Sequence, residues 1–427
     1  MSVVIPSLRA AVAVPGWAKN ELWRNARAVP SLDLRFANNK SLVDAVTGQQ
    51  LVTHTRASSG TFVDSAGVLQ TASTDVPRFD HNPTTGESLG LLVEEARTNL
   101  LVRSEEFDDA TWAKTASSVT ANAVAAPNGT TTADTLIEDT STGTHAILRS
   151  TTALISTIYT FSVYAKAASG VRSLRVFIPA SIFGTNGTAL FDIQAGTTGS
   201  ITGAVASSNI VALANGWYRC SATTAASTAA IAGNFTIQLA TGATVSYTGD
   251  GTSGIHLWGA QVEAGAFPTS YIATTGATAT RSASLADLIS SAIANNIRTL
   301  YLEFRSPASG TRGVVSLNDN TANERVNVLT SGTDPRLIVV DGGVEQANVN
   351  GGTVTANQRT RVAVRINAND FAISINGGAV VTDTSGTLPT VDRLMLGRTQ
   401  AGEYLNGTLA RVIGWDTAQP DLQSITQ

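Results

Sequence analysis

Three observations point to an all-β chain, built as tandem antiparallel β-sandwich modules (jelly-roll ones by the resemblance given below) behind an irregular N-terminal anchor. Apolar and polar residues alternate in many short runs. Small and β-branched polar residues stand where charged ones usually do. Asn-Gly pairs punctuate the runs.

The alternation is clearest at Leu174, Val176 and Ile178, which share one face while Arg175 and Phe177 take the other. The same period of two runs through 235–239, 300–304, 361–366 and 371–375. Such a period buries one face of a strand and wets the other. Asp, Glu, Lys and Arg make up only 14% of the 427 residues, against a usual level of about 25%. Thr, which is stiff at χ1, and Gly, which weakens helices, fill the gap and favour pleated surfaces. With 43% hydrophobic residues the chain is not read as disordered. Six Asn-Gly pairs, at Asn128, Asn186, Asn215, Asn350, Asn376 and Asn406, offer the positive-φ positions that tight hairpins require.

Composition also excludes whole classes of function. A net charge of −4 does not suit binding by broad phosphate neutralisation, so no nucleic-acid partner is expected. No apolar run approaches the roughly 20 residues of a spanning helix, so no membrane insertion is expected. The opening Met1–Pro6 lacks a basic region followed by an apolar one, and no Sec-type leader is read there. A single Cys220 and four scattered His leave no cysteine or histidine metal cage. No Walker A loop, His-Glu-x-x-His or Gly-x-Ser-x-Gly motif occurs. The chain is expected not to be an enzyme; no catalytic residue is assigned and no cofactor is called for.

Along the chain, residues 1–30 hold Trp17 and Trp23 among prolines and basic residues with little alternation. They are read as an anchor docking on another protein, or as an extension packed on its own domain. Residues 31–101 are expected to form a small β-rich attachment domain. Residues 102–272, with strands at roughly 8–12-residue spacing, suit a sandwich. A linker with a short helix, placed over 285–297, is expected within 273–297. A further sandwich is expected over 298–427, ending in a helical turn at 421–425.

Two groups of residues resemble segments of bacteriophage virion proteins, the tail fibres and head-spike fibres. One is the run from Pro77-Arg78-Phe79-Asp80-His81 through Gly90-Leu91-Leu92-Val93-Glu94-Glu95-Ala96-Arg97-Thr98-Asn99. The other is Phe161–Lys166, Asn215-Gly216-Trp217-Tyr218-Arg219, Trp258-Gly259-Ala260-Gln261-Val262-Glu263 and Ser270-Tyr271-Ile272. The resemblance implies that 102–272 is a jelly roll of the carbohydrate-binding type. Residues 298–427 look like a concanavalin-A-like (laminin-G-like) sandwich, on Phe371–Gly378, Leu394–Arg398 and Leu405–Trp415. It further implies a structural protein of a virion, assembled in a bacterial cytoplasm and attached to tail or capsid proteins through residues 1–30. A homotrimer that presents its modules to host-surface glycans is the expected form. A decoration protein without a ligand is the alternative, and a polysaccharide depolymerase the weaker one.

Candidate sites follow. Trp258, Gln261 and Glu263, with Trp217, could offer an aromatic platform and polar groups to a sugar. Alternation of Ile255, Leu257 and Gly259 against His256, Trp258 and Ala260 instead makes this a strand with Trp258 at a core. Arg219 and Glu263 could form an ion pair. Arg78, Asp80, Glu94 and Arg97, like Trp17 and Trp23, are assigned to anchoring or interfaces, the charged ones as an ion-pair network that fixes how modules stack. Asn318, Asp319 and Asp341 carry oxygens of the kind Ca²⁺ takes, and turn-making is the competing reading.

Overall fold

The computed structural model describes residues 21–427 apart from 27, 308 and 309. Trp17 and residues 1–20 of the expected anchor lie outside the described residues. The architecture is all-β, in two antiparallel sandwiches.

Period-two runs become strands as expected. Ser173–Ile178 alternates half-buried and buried, with Leu174, Val176 and Ile178 inward. Its module has two six-stranded sheets. One runs Val205–Ala212, Tyr218–Ala226, Ile158–Ala167, Gly254–Ala264, Ala133–Glu138, Ser117–Val124. The other runs Thr197–Gly203, Gly187–Asp192, Ser173–Ile178, Ala232–Ala240, Ala146–Thr152, Ala113–Thr115. Counting eight central strands from Ala133–Glu138 in chain order, the sheets read 1-8-3-6 and 2-7-4-5. That is jelly-roll order. Phe161, Val176, Phe191, Ile237, Leu257 and Val262 fill the space between the sheets.

The other sandwich corrects the expected boundaries. Its seven-stranded sheet contains Thr53–Thr55 and Leu285–Ile289 beside strands from 311–396. Its eight-stranded sheet contains Leu32–Leu34, Phe79–His81 and Ser88–Val93 beside strands from 299–415. Leu32, Leu34, Phe36, Leu91 and Val93 share one core with Leu302, Val364, Leu396 and Val412. Residues 31–101 therefore do not stand as a separate domain, because most of their strands complete the C-terminal sandwich. The chain leaves that sandwich at Arg97–Asn99 and returns at Ala279–Arg281, and these two segments pair antiparallel, Arg97 opposite Arg281. The jelly roll is an insertion. The stretch 273–297 is not a free linker either: Leu285–Ile289 is a strand and only Ser291–Ala294 is helical. A C-terminal helix, Leu422–Thr426, forms as expected, and the Asp421 side chain accepts the Ser424 amide (3.0 Å) at its start.

Turn chemistry holds in part. Asn215-Gly216 and Asn376-Gly377 have both residues at positive φ. At Asn128 the side chain makes the turn instead, accepting the Thr130 amide at 3.0 Å.

Because one core needs both halves of the interrupted sandwich, the isolated fragment 298–427 is expected to fail to fold. Circular dichroism and solubility of that fragment, against the whole chain, check this.

Candidate functional site

Of the residues singled out in the sequence, Arg78, Glu94 and Arg97 converge on the junction where the jelly roll is spliced into the sandwich. Ser88–Val93 delivers Glu94 to that junction, Arg78 directly precedes Phe79–His81, and Arg281 ends the returning strand. All three side chains are buried. Arg78 reaches a Glu94 oxygen at 2.8 Å and Arg281 reaches the same oxygen at 3.2 Å. Ser270, from the jelly-roll side, gives Glu94 both its amide and its hydroxyl at 2.7 Å. The Ser270 hydroxyl in turn accepts from Arg78 (2.8 Å) and Arg281 (2.9 Å). Arg78 also donates to the Thr61 carbonyl and the Ser284 hydroxyl, and Arg281 to the Glu95 carbonyl.

The electrostatics follow from that geometry. Burial alone would raise the Glu94 carboxyl; the charges of Arg281 and Arg78 and the Ser270 bonds outweigh it and hold the group down at about 2. Asp80 goes the other way. Desolvation, with the Glu94 charge adding to it, pushes it up to about 6, although it accepts the Val63 amide at 2.7 Å.

A third arginine, Arg56, has no carboxylate of its own. It is buried and donates to the carbonyls of Ser58, Ala72, Ser73 and Val76. Desolvation, followed by the charges of Arg78 and Arg281, lowers it to about 10. Neither Arg56 nor Arg281 was among the sequence candidates. Each is an isolated cation in a Thr/Ser/Ala run, a signal the sequence offered only weakly.

The expected ligand residues are placed in the interior. Trp217 and Trp258 are each 1% exposed, and Gln261 and Glu263 are fully buried. Glu263 accepts from Gln261 (2.6 Å), the Thr269 amide (2.9 Å) and the Thr269 hydroxyl (2.7 Å). Gln261 accepts the Ile272 amide. A sugar platform on these four residues is thus corrected: no face of them is free to meet a ligand. The expected Arg219–Glu263 pair does not form either. Arg219 donates to Ser162 and lies over the Tyr164 ring.

A bulge explains the placement of the tryptophan motif. Gly259 has φ +61°, and the register to Ile158–Ala167 slips between Ser162 and Tyr164. Inward positions therefore run Ile255, Leu257, then Ala260 and Val262. The expected strict alternation through Gly259 is corrected accordingly. Trp258 faces outward from the jelly-roll core but is covered. It packs with Tyr164 and Tyr271 (ring centroids 5.4 and 4.7 Å) and joins Trp217, Leu213 and Leu69 in a second cluster. Leu69 belongs to the hairpin formed by Gly60–Val63 and Leu69–Ala72, which comes from the 31–101 segment. Thr61 fastens it by donating to the Tyr271 carbonyl at 2.6 Å.

Other candidates are placed as follows. Arg97 pairs with Glu95 and lies over the Phe267 ring, as does Arg312. A side chain at Gly265 (φ +142°) would collide with Arg97. Trp23 donates to Asp33 at 3.1 Å and lies under Arg35, so it packs on the chain's own sandwich. Asn318 and Asp319 spend oxygens on the Asn320 and Thr321 amides (both 2.8 Å), and Asp341 accepts from the Thr387 hydroxyl. Among the described residues no group of three or more His, Cys, Asp or Glu is placed to hold a metal ion. Cys220 is buried, and burial pushes its thiol well up.

No protein-family model matches the chain. No curated protein matches it. Among solved structures it is similar to domains LG4-5 of the mouse laminin alpha1 chain. That likeness is 9% identity over 61% of this chain and 83% of the other, with a TM-score of 0.22. At that score it carries no argument.

Three expectations follow from the junction and the aromatic cluster beside it. Glu94→Gln leaves two buried guanidiniums short of their counter-charge and should cost about 3–5 kcal/mol, read by chemical denaturation. Trp258→Ala should cost about 3–5 kcal/mol through the cavity it opens. The pH dependence has two opposed limbs. Glu94 is depressed on folding, so its contribution is full above its ordinary value near 4.5 and is lost as pH falls toward 2. Asp80 is raised on folding, so its contribution is full below 3.8 and is lost as pH rises through about 6. Asp80→Asn should remove the second limb alone from a stability-against-pH curve.

Proposed function

We propose that the chain is a structural, non-enzymatic component of a bacteriophage virion, a tail fibre or head spike. In this reading two sandwiches are welded into one stiff unit. The observation that carries it is the junction, where the conspicuous charged and aromatic side chains are spent holding modules together. Trp112, Trp217, Trp258 and Trp415 are all buried, and among the described residues every Phe, Tyr and Trp is buried or half-buried. This favours the architectural side of the reading over a tryptophan sugar platform. The resemblance of the Pro77–Asn99 run and the tryptophan motifs to virion proteins supports the particle context.

The unit is a homotrimer in this proposal. Leu154, Ile155, Ile158 and Ile231 lie at one end of the jelly roll and are 67%, 59%, 39% and 49% exposed, and Ile231 lies beside Ala153 through a backbone bond. Large apolar side chains left exposed in this way are the surface offered to another copy. Attachment to the particle is assigned to residues 1–30.

The experiment is peptide mass spectrometry and antibody-gold labelling of purified particles, with sedimentation of the purified chain. The chain should be found on the particle surface and sediment at about three times its 44.1 kDa. Leu154→Ser combined with Ile155→Ser should reduce it to a monomer. Absence from particles, or a stable monomer, defeats the proposal.

A further inference from the structure

A cavity of about 310 Å³ lies on the outer face of the seven-stranded sheet. Alternation in Arg325–Ser331 sends Val326 and Val328 to the core and turns Arg325, Asn327 and Leu329 outward. Asn327 is nevertheless only 4% exposed, because the turn carrying Gln400 and Glu403 closes over that face. Its Oδ1 is buried without a hydrogen-bond partner, and so is Nε of Arg336, which lines the same cavity. Arginine Nε is left so elsewhere in the chain, at Arg78, Arg219 and Arg281 among others, so the amide oxygen of Asn327 is the telling atom.

The charge pattern is equally unusual. Most arginines of this chain with a buried or half-buried guanidinium are answered by a carboxylate or by backbone carbonyls. Arg325 and Arg336 are not: among the described residues neither side chain has an ion pair or hydrogen bond. Strand register sets them at opposite ends of the cavity, Arg325 across from Val340 and Arg336 across from Leu329. Four strand positions separate them, about 14 Å along the sheet. Between them Ile338 pairs with Asn327. Gln400 spends its Oε1 on the Ser316 hydroxyl (3.1 Å), which leaves its amide N–H groups to donate. Glu403 takes the Thr399 hydroxyl on one oxygen and keeps the other as an acceptor.

We propose that this cavity binds a carboxylated sugar, of the hexuronic or sialic acid type, as one or two rings. An arginine fork matches a carboxylate in two parallel hydrogen bonds. Asn327, Gln400 and Glu403 supply the mixed donors and acceptors that ring hydroxyls need. Leu329 and Ile338 offer apolar surface to the ring C–H groups. The inference goes beyond the virion reading and does not depend on it.

The test is isothermal titration of the whole chain with D-glucuronate and N-acetylneuraminate, against D-glucose, sodium acetate and sodium sulfate. At least one carboxylated sugar should bind tenfold or more tighter than glucose, acetate and sulfate. Arg325→Gln or Arg336→Gln should weaken it about tenfold or more, with Arg336→Lys retaining part of the affinity. Ala401→Glu, on the exposed turn beside the cavity, adds a repelling carboxylate without touching the core and should weaken binding about as much. That variant decides the matter if an arginine variant does not fold. Failure of both acidic sugars to bind, equal binding of glucose, acetate or sulfate, or full affinity in Ala401→Glu overturns the proposal. Protein that binds glucuronate but is missing from particles sinks only the virion reading; protein found on particles that binds neither acidic sugar sinks only this one.

Discussion

The structure turns on one carboxylate held between two guanidiniums in the interior. Glu94 sits where the chain is about to leave the sandwich, Arg281 where it has just come back, and Arg78 just before the strand alongside. A buried charge is costly unless it is paired and hydrogen-bonded. Glu94 is satisfied only when exit strand, return strand and the Ser270 turn of the jelly roll are all in place. The junction therefore tolerates one relative arrangement of these segments. Its contribution is to geometry more than to net stability, since a buried pair often roughly breaks even against an apolar replacement.

That constraint explains the otherwise wasteful use of aromatic residues. A jelly roll inserted through two antiparallel segments could swing on them. The hairpin Gly60–Val63 and Leu69–Ala72, which belongs by sequence to the outer sandwich, lies against the outside of a jelly-roll sheet. Trp258, Trp217, Tyr164 and Tyr271 are the surface it meets. Large aromatic rings remove about 150–250 Å² each from water. The apolar packing and the Arg78–Glu94–Arg281 cluster hold the insertion together as one continuous contact, joined through Thr61 and the consecutive residues Ser270 and Tyr271.

Local features of this fold were legible and long-range ones were not. The alternation at Leu174–Ile178 gives a strand and its buried face because the information lies within five residues. A sandwich over 102–272 was likewise readable from strand spacing, while its jelly-roll type was implied only by the resemblance. The bulge at Gly259 was missed, because a single glycine inside an alternating run looks the same whether it continues the pleat or breaks it. The fate of 31–101 was missed for a different reason. Leu32–Leu34 pairs with residues near 413, and Thr53–Thr55 with residues near 286. Nothing in a three-residue strand names a partner hundreds of positions away. The charged residues of the 78–97 run were recognised as unusual and as module fasteners, yet Arg281, which answers them, lies in a featureless Thr/Ser/Ala stretch.

Charge is scarce in this chain, and that scarcity makes its placement informative. In a protein rich in surface Lys and Glu, an unpaired arginine says little, since solvent and shifting neighbours answer it. Here, with 14% charged residues, guanidiniums are committed one by one: Arg172 to Glu138, Arg398 to Asp287, Arg411 to Asp33. The same economy that spends Arg78 and Arg281 on the weld leaves Arg325 and Arg336 beside a buried, unpartnered amide oxygen on a sheet face remote in sequence from the insertion. A scaffold held rigid by its interior can keep such a face pre-formed, and a pre-formed polar cavity loses less ordering entropy when it is filled. Stiffness at the junction and an open polar cavity on the outer sheet are thus consequences of one pattern of charge use.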